Sequence, residues 1–198
     1  TGSKEDPFII ETPEQMAKLV GFDTNTEGKY YKLVADLKLN DTSKSDWEKT
    51  AREWLSGTNE FAGHFNGNGY VVSGLYYNTS FANAGLFQYI TSGTVIEKVG
   101  ITDASITNFG KKENGAFAGS LVAMVTGWNL EEFIAPKISE CFADHTVKIK
   151  SYSTGGLIGG SGRYVHIENC YFAGTLKSES EGYIGQAIGD LWYDKNES

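Results

Sequence analysis

The sequence predicts an all-β fold: a right-handed parallel β-helix, or solenoid, of about five coils, with an N-terminal capping helix and a second short helix in an insertion. Three observations predict it. Related segments recur along the 198 residues at spacings between twenty and fifty, the period of architectures built from stacked units. Each segment alternates apolar and polar residues with period two and carries little helical pattern. Each also follows a glycine-led apolar turn. Units too small to bury an apolar face alone must stack, like residue over like. The right hand follows from the statistics of parallel crossovers.

The repeat is clearest between Gly155 and Ser178. IEKVGITDASI from Ile96, ISECFADHTVKI from Ile138 and IENCYFAGTLKS from Ile167 align without gaps. That alignment makes Ile96, Ile138 and Ile167 equivalent, then Val99, Cys141 and Cys170, then Ile101, Ala143 and Phe172. The turns before them are Gly85-Leu86-Phe87, Gly115-Ala116-Phe117 and Gly156-Leu157-Ile158, and Gly182-Tyr183-Ile184-Gly185 opens a further unit. The expected core contains Leu75, Tyr77, Phe87, Val99, Ile101, Cys141, Phe172 and Ile184.

The elements follow in chain order. Thr12 can cap a helix that has Pro13 at its first position and Gln15 completing a capping box. Met16, Leu19 and Val20 form its apolar stripe, and Gly21 ends it. A solenoid end exposes core and unpaired strand edges, so this helix is the expected N-terminal cap. Tyr30 to Leu39 alternates as a strand. Ser45 to Leu55 reads as the second helix, with Ser45 and Glu48 as a capping box, Trp47, Ala51, Trp54 and Leu55 on one face, and Gly57 as the stop. Phe61 to Tyr77 should form the first regular coil, turning at Asn66-Gly67-Asn68-Gly69. The glycine turns then lie 30, 41 and 26 residues apart. The long middle unit is expected to carry its extra residues at 127–136 as a projecting loop. Leu191, Trp192 and Tyr193 either close the C-terminal end or precede further chain. The whole is read as one domain, 1–198, with 1–60 as N-terminal cap and lead-in and 61–198 as repeat coils.

The chain resembles the bacterial surface proteins that carry the GLUG motif. Gly156-Leu157-Ile158-Gly159 matches that motif, and Gly85-Leu86-Phe87-Gln88 departs at its last residue. FAGHFNGNGYVVSGLYY from Phe61 is similar to the family's F-x-G-x-F-[DN]-G-x-G segment, while DPFIIETPEQMAKL and YYKLVADLKLND are similar to the sequences that usually precede it. The resemblance covers most of the chain. It implies a right-handed β-helix on secreted or wall-attached bacterial proteins, among them adhesin-like proteins and the non-catalytic regions of large surface proteases. It implies little about chemistry.

Composition narrows the function. A net charge of −8 argues against nucleic acid and against an anionic membrane as partners, since both need basic patches. No apolar run approaches a membrane-spanning length. Thr1-Gly2-Ser3 carries no leader, which is silent about export. Two cysteines are too few for a disulfide framework or a zinc site. Cys141 and Cys170 should stack on adjacent coils as free, buried thiols, with a disulfide as the alternative. Gly159-Gly160-Ser161-Gly162 lacks a Walker lysine, and no G-x-S-x-G elbow or H-E-x-x-H pair occurs. His64, His145 and His166 fall in separate repeats, and Asn66 and Asn68 lack the clustered carboxylates of a calcium loop. No cofactor and no metal are expected.

If Leu75, Val99, Cys141 and Cys170 point inward, their successors Tyr76, Gly100, Phe142 and Tyr171 point outward. The aromatic ones then form a surface stripe, with Trp128 and Phe133 of the inserted loop as possible additions. Exposed aromatics stack on sugar rings or anchor protein partners. They can equally be covered by the loop or by a neighbouring domain. The sequence therefore reads as a non-enzymatic module of a larger bacterial cell-surface or secreted chain, used for glycan or protein adhesion or as a rigid spacer. The alternative, a polysaccharide lyase or hydrolase, requires converging carboxylates or basic residues that the sequence does not cluster.

Overall fold

The computed structural model describes residues 1–54, 59–80, 83–111, 116–127 and 131–191. Among them the protein is all-β with one α-helix, and its strands form four parallel sheets in a β-helix-like arrangement. Sheet A runs through β1 (Phe8–Ile10), β2 (Tyr30–Leu33), β5 (His64–Asn66), β9 (Val95–Glu97), β14 (Lys137–Ser139) and β18 (His166–Glu168). Sheet B holds β3 (Leu37–Lys38), β6 (Val71–Ser73), β10 (Gly100–Thr102), β15 (Phe142–Ala143) and β19 (Tyr171–Phe172). Sheet C holds β4 (Glu60–Phe61), β8 (Phe87–Ile90), β13 (Val122–Val125), β17 (Ile158–Ser161) and β21 (Ile188–Leu191). Sheet D holds β7 (Tyr76–Thr79), β11 (Ser105–Asn108), β12 (Phe117–Ala118), β16 (Lys148–Gly155) and β20 (Thr175–Gly185). From β5 onward the chain passes A, B, D, C and returns to A. Each return lays a strand beside its predecessor, so sequence repetition becomes spatial stacking.

Register shows the stacking residue by residue. Tyr31, Phe65, Ile96, Ile138 and Ile167 are successive partners in sheet A. Leu37, Val72, Ile101, Ala143 and Phe172 do the same in sheet B. Tyr77, Ile106, Ile149 and Leu176 form the column in sheet D, and Phe87, Val122, Ile158 and Ile188 the one in sheet C. These four columns meet in one apolar cluster. Each large aliphatic or aromatic side chain so buried contributes roughly 1.5–3 kcal/mol. The polar groups that enter the core are paired. Tyr77 Oη donates to the Gly85 carbonyl at 3.1 Å, and Thr94 Oγ1 lies 2.7 Å from the Phe61 carbonyl.

The helix α1 (Pro13–Phe22) starts as its sequence predicts but runs through Gly21, the expected stop, to a C-cap at Asp23. Thr12 accepts from the Gln15 N–H, and the Gln15 side chain reaches back to complete the box. Met16, Leu19 and Val20 are buried in the common cluster.

Several expectations are corrected. The second helix shrinks to a three-residue 3₁₀ turn, Trp47–Lys49, whose cap residue Asp46 makes no side-chain capping bond. The chain beyond is drawn into outside hydrogen bonds that a helix would forfeit. Arg52 N–H donates to Asn40 Oδ1, Asn40 Nδ2 donates to the Arg52 carbonyl, and Trp54 N–H donates to the Tyr76 carbonyl. Leu55 and Gly57 lie outside the described residues. Parallel pairing begins at Phe8 rather than at Phe61, because β1 and β2 already form the first rungs of sheet A.

The glycine-turn alignment also shifts. Phe87 and Ile158 are equivalent as expected, but their partner between them is Val122, not Phe117, and the following one is Ile188. Phe117 pairs instead with Ser153, and Ser153 with Tyr183, in sheet D. Each of these coils carries two small-residue stretches, and the sequence alignment mixed them. The extra length is therefore split. From sheet C to sheet A takes nine residues at Phe87 to Ile96 and at Ile158 to Ile167, but sixteen at Val122 to Ile138. From sheet D to sheet C takes ten residues at Tyr77 to Phe87 and nine at Ile149 to Ile158, but sixteen at Ile106 to Val122. Finally, Ile184 is 53% exposed rather than core, and Phe172 is half-buried. Both sit on strands over which no further described strand lies.

Candidate functional site

The outer face of sheet B carries the stacked aromatic pair. Val71, Gly100, Phe142 and Tyr171 are successive partners across β6, β10, β15 and β19. Parallel rungs about 4.8 Å apart are spaced for ring-on-ring contact. The Phe142 and Tyr171 rings stack with centroids 5.3 Å apart and planes 8° from parallel. The side chain missing at Gly100 makes room for this, because a Cβ there would collide with the Phe142 ring. Phe142 therefore lies between bare backbone on one side and Tyr171 on the other. Tyr171 is 56% exposed and, among the described residues, is the last ring of the stack. A flat aromatic face at the end of a rigid ladder is what a sugar ring or an apolar partner side chain docks against.

Tyr76 does not join this pair. It lies in sheet D, where its successive partners are Ser105, Lys148 and Thr175. The residue equivalent to Gly100 is Val71, five positions earlier. The stretch from Tyr70 to Tyr77 supplies two strands on two sheets, and the expectation took the second for the first. Tyr76 instead packs edge-to-face on Trp47, centroids 6.0 Å apart. Phe133 folds back onto the solenoid, half-buried against the core cluster, with the Arg163 guanidinium 5.4 Å from its ring centroid. Trp128 lies outside the described residues, as do Gly115, Trp192 and Tyr193. Of the five aromatics singled out by sequence, two are brought together.

Directly before the aromatic pair in the chain come Cys141 and Cys170. Both are free thiols, Cys141 buried and Cys170 half-buried. The Cys141 N–H donates to Cys170 Sγ at 3.4 Å, and each sulfur also lies 3.2 Å from a carbonyl two residues earlier, Ser139 and Glu168 respectively. The hydrogen bond from the Cys141 thiol brings Cys170 down to about 7, with the Cys141 N–H adding to it. The same bond, and then burial, push Cys141 up.

Sequence reasoning missed a cleft on the outer face of sheet A. It has a volume of about 330 Å³ and is lined by Lys4, Tyr30, Lys32, His64, Asn66 and Glu97, among others. Tyr30 and His64 are register partners whose rings stack at 4.3 Å. Asn66 Nδ2 donates to Glu97 Oε1 at 2.6 Å and fixes that carboxylate. Burial holds the His64 imidazole below its ordinary value, with Glu97 opposing and Lys4 reinforcing the shift. The missed signal was one outward ring on each of two adjacent strands, Tyr30 and His64, which only register aligns. Among the described residues no group of three His, Cys, Asp or Glu side chains stands close enough to hold a metal ion, and no helix is long and apolar enough to cross a membrane.

Compared with known families, the chain matches no family model. It is 32% identical over 132 residues to a protein of Evansella cellulosilytica named "Putative Gly-rich membrane protein", covering 65% of this chain and 14% of that one. It is 29% identical over 120 residues to "Halomucin" of Haloquadratum walsbyi, covering 60% of this chain and 1% of that one. The chain thus spans only a small part of the length of both relatives. Among solved structures, a "putative immunoglobulin A1 protease" from Bacteroides ovatus superposes with a TM-score of 0.55 over 98% of this chain and 64% of that one, at 18% identity. That likeness is one of fold.

Proposed function

We propose that this chain is a non-catalytic module of a bacterial cell-surface or secreted protein, built as a right-handed β-helix of about five coils with α1 as its N-terminal cap. It presents the Phe142–Tyr171 pair to a glycan or to an extracellular protein. The stacked, exposed Tyr171 ring is the observation that carries this reading. The surface assignment draws on the two relatives, one named as a membrane protein and the other as halomucin, and on the residues shared with GLUG-motif surface proteins. The fold shared with a protein named as a putative immunoglobulin A1 protease fits a stalk or display region, because a ladder of columns is a stiff scaffold.

The experiment is a screen of the intact chain against mixed glycans and extracellular-matrix proteins, repeated with Tyr171→Ala/Phe142→Ala and with Gly100→Ala. The double variant removes the platform. Gly100→Ala keeps both aromatic residues but displaces the Phe142 ring from beneath Tyr171. Loss of at least about tenfold in affinity is expected for the double variant, as for removal of a central aromatic anchor, and a smaller loss for Gly100→Ala. Unchanged binding excludes the pair. Absence of any ligand, with mutational effects confined to stability, makes the module a spacer.

A further inference from the structure

The cleft on the outer face of sheet A stands apart from the Phe142–Tyr171 pair, which lies on sheet B. Two outward columns meet there in register: Tyr30, His64 and Val95 in one, Lys32, Asn66 and Glu97 in the other. All six line the cleft. The N-terminal segment forms a further wall. The Tyr30 N–H donates to the Gly2 carbonyl at 2.9 Å and ties that segment down, so that Lys4, Glu5 and Pro7 border the same space. The volume of about 330 Å³ lies near the lower end for small-ligand sites, roughly 300 Å³, and suits one ring of a ligand.

Each column supplies a different half of a binding surface. Tyr30 and His64 stack at 4.3 Å with planes 17° apart. Burial holds the imidazole below its ordinary value, so this wall is uncharged at neutral pH. In the other column the Asn68 N–H donates to Asn66 Oδ1 at 2.7 Å, and Asn66 Nδ2 donates to Glu97 Oε1 at 2.6 Å. That relay orients the carboxylate in advance, which lowers the cost of binding to it. Among the described residues Glu97 Oε2 takes no hydrogen bond, and neither Lys4 nor Lys32 forms an ion pair. The next cation along the sheet, Lys137 opposite Val95, is held by Glu168.

This lining selects a ligand without net charge. Lys4 and Lys32 balance Glu5 and Glu97, so an anion meets two carboxylates and a cation meets two ammonium groups. Ammonium groups only donate and an ionised carboxylate only accepts, whereas a hydroxyl does both. A zwitterionic amino acid carries its two charges on one carbon. Lys32 and Glu97 instead stand two rungs apart, about 9.6 Å along the sheet, a spread that suits hydroxyls distributed round a ring. The C–H face of such a ring packs on an aromatic wall.

We propose that the sheet A cleft binds a neutral pyranose, with Glu97 accepting from its hydroxyls, Lys32 donating to them, and the Tyr30–His64 pair packing against its apolar side. The site shares no residue with the Phe142–Tyr171 pair, so either can fail without the other.

Amide NMR of the intact chain locates and measures the binding. It is titrated with the methyl glycosides of glucose, galactose, mannose and N-acetylglucosamine. Methyl glucuronide, glucosamine and L-phenylalanine are the anionic, cationic and zwitterionic probes. At least one neutral glycoside should shift the Tyr30, His64, Asn66 and Glu97 amides saturably. Its affinity should change less than about twofold with salt, because screening acts on charged partners. Glu97→Gln keeps the side chain's size and removes its charge, and should lower affinity at least about tenfold, since hydrogen bonds to ionised groups are the stronger ones. Lys32→Met should also weaken binding, and it serves as the test if Glu97→Gln does not fold. Glu131→Gln, the same exchange at an exposed residue elsewhere, should change affinity less than about twofold. Shifts at the Phe142 and Tyr171 amides report on the other site and are scored separately. No neutral glycoside bound at sheet A, tighter binding of a charged probe or of phenylalanine there, or equal losses in Glu97→Gln and Glu131→Gln overturns the proposal.

Discussion

At the scale of single residues, one corner recurs with the same backbone. Lys98, Glu140 and Asn169 each sit between sheets A and B with φ near +50°, at 56°, 53° and 52°. Asn68 opens the corresponding corner one coil earlier at φ 54°. Left-handed backbone costs an ordinary L-residue roughly 1–2 kcal/mol, and asparagine and glycine tolerate it. Lys98 and Glu140 bear that cost, and the exposed pair they form at 3.9 Å offsets little of it. Glu140→Gly should therefore raise stability by up to about 1 kcal/mol, and Glu140→Val should lower it by a similar amount or more, read from urea midpoints. A loss for Glu140→Gly would mean that the corner is not left-handed. The two thiols behind that corner should also differ in reactivity. At neutral pH iodoacetamide should label the half-buried Cys170, whose thiolate is stabilised by Cys141, and leave buried Cys141 unmodified. Mass spectrometry reads the two sites separately, and equal labelling contradicts the packing of Cys141.

At the scale of elements, the sheets differ in how much of them sequence could disclose. Sheets A and B were legible because Ile-x-x-Val/Cys spans one corner of fixed length. An alignment of Ile96, Ile138 and Ile167 therefore falls straight onto β9, β14 and β18. Sheets C and D were not, because the connections between them vary in length and both carry small residues, so Gly115 was matched to the wrong stretch. Helix α1 was readable from its local capping chemistry. The second helix was not, because the hydrogen bonds to Asn40 and Tyr76 that displaced it come from distant chain. The candidate site was half legible for the same reason: Phe142 and Tyr171 share an aligned strand, whereas Tyr76 was carried in by a misplaced one. Sheet A also yields a pH prediction. His64, stacked on Tyr30, has its imidazole held below the ordinary 6.5 mainly by burial. The unfolded chain then binds the proton more readily than the folded one. The stability linked to this group is present above the ordinary value and is lost as pH falls through the folded one. Between pH 7 and pH 5 the wild type should lose more stability than His64→Gln, measured by urea unfolding. Parallel losses in both would remove His64 from the acid response.

At the scale of the whole molecule, stability and function rest on the same device. Apolar columns fill the interior, while their outward neighbours form ladders of matched side chains: stacked rings on sheet B, and on sheet A a ring pair beside an amide–carboxylate pair. The net charge of −8 foretold neither ladder, because a total hides how parallel register gathers a few side chains onto one face. The columns are therefore what must be tested. Ile9, Lys32, Asn66, Glu97, Ser139 and Glu168 are successive partners across sheet A. Spin labels at Ile9→Cys and Glu168→Cys, in a chain with Cys141 and Cys170 replaced by serine, measure the span of that ladder by double electron–electron resonance. Five rungs of about 4.8 Å predict a backbone separation of about 24 Å, broadened by the label linkers. A distance beyond about 35 Å, more than seven such rungs, or no defined distance at all, would contradict in-register parallel stacking.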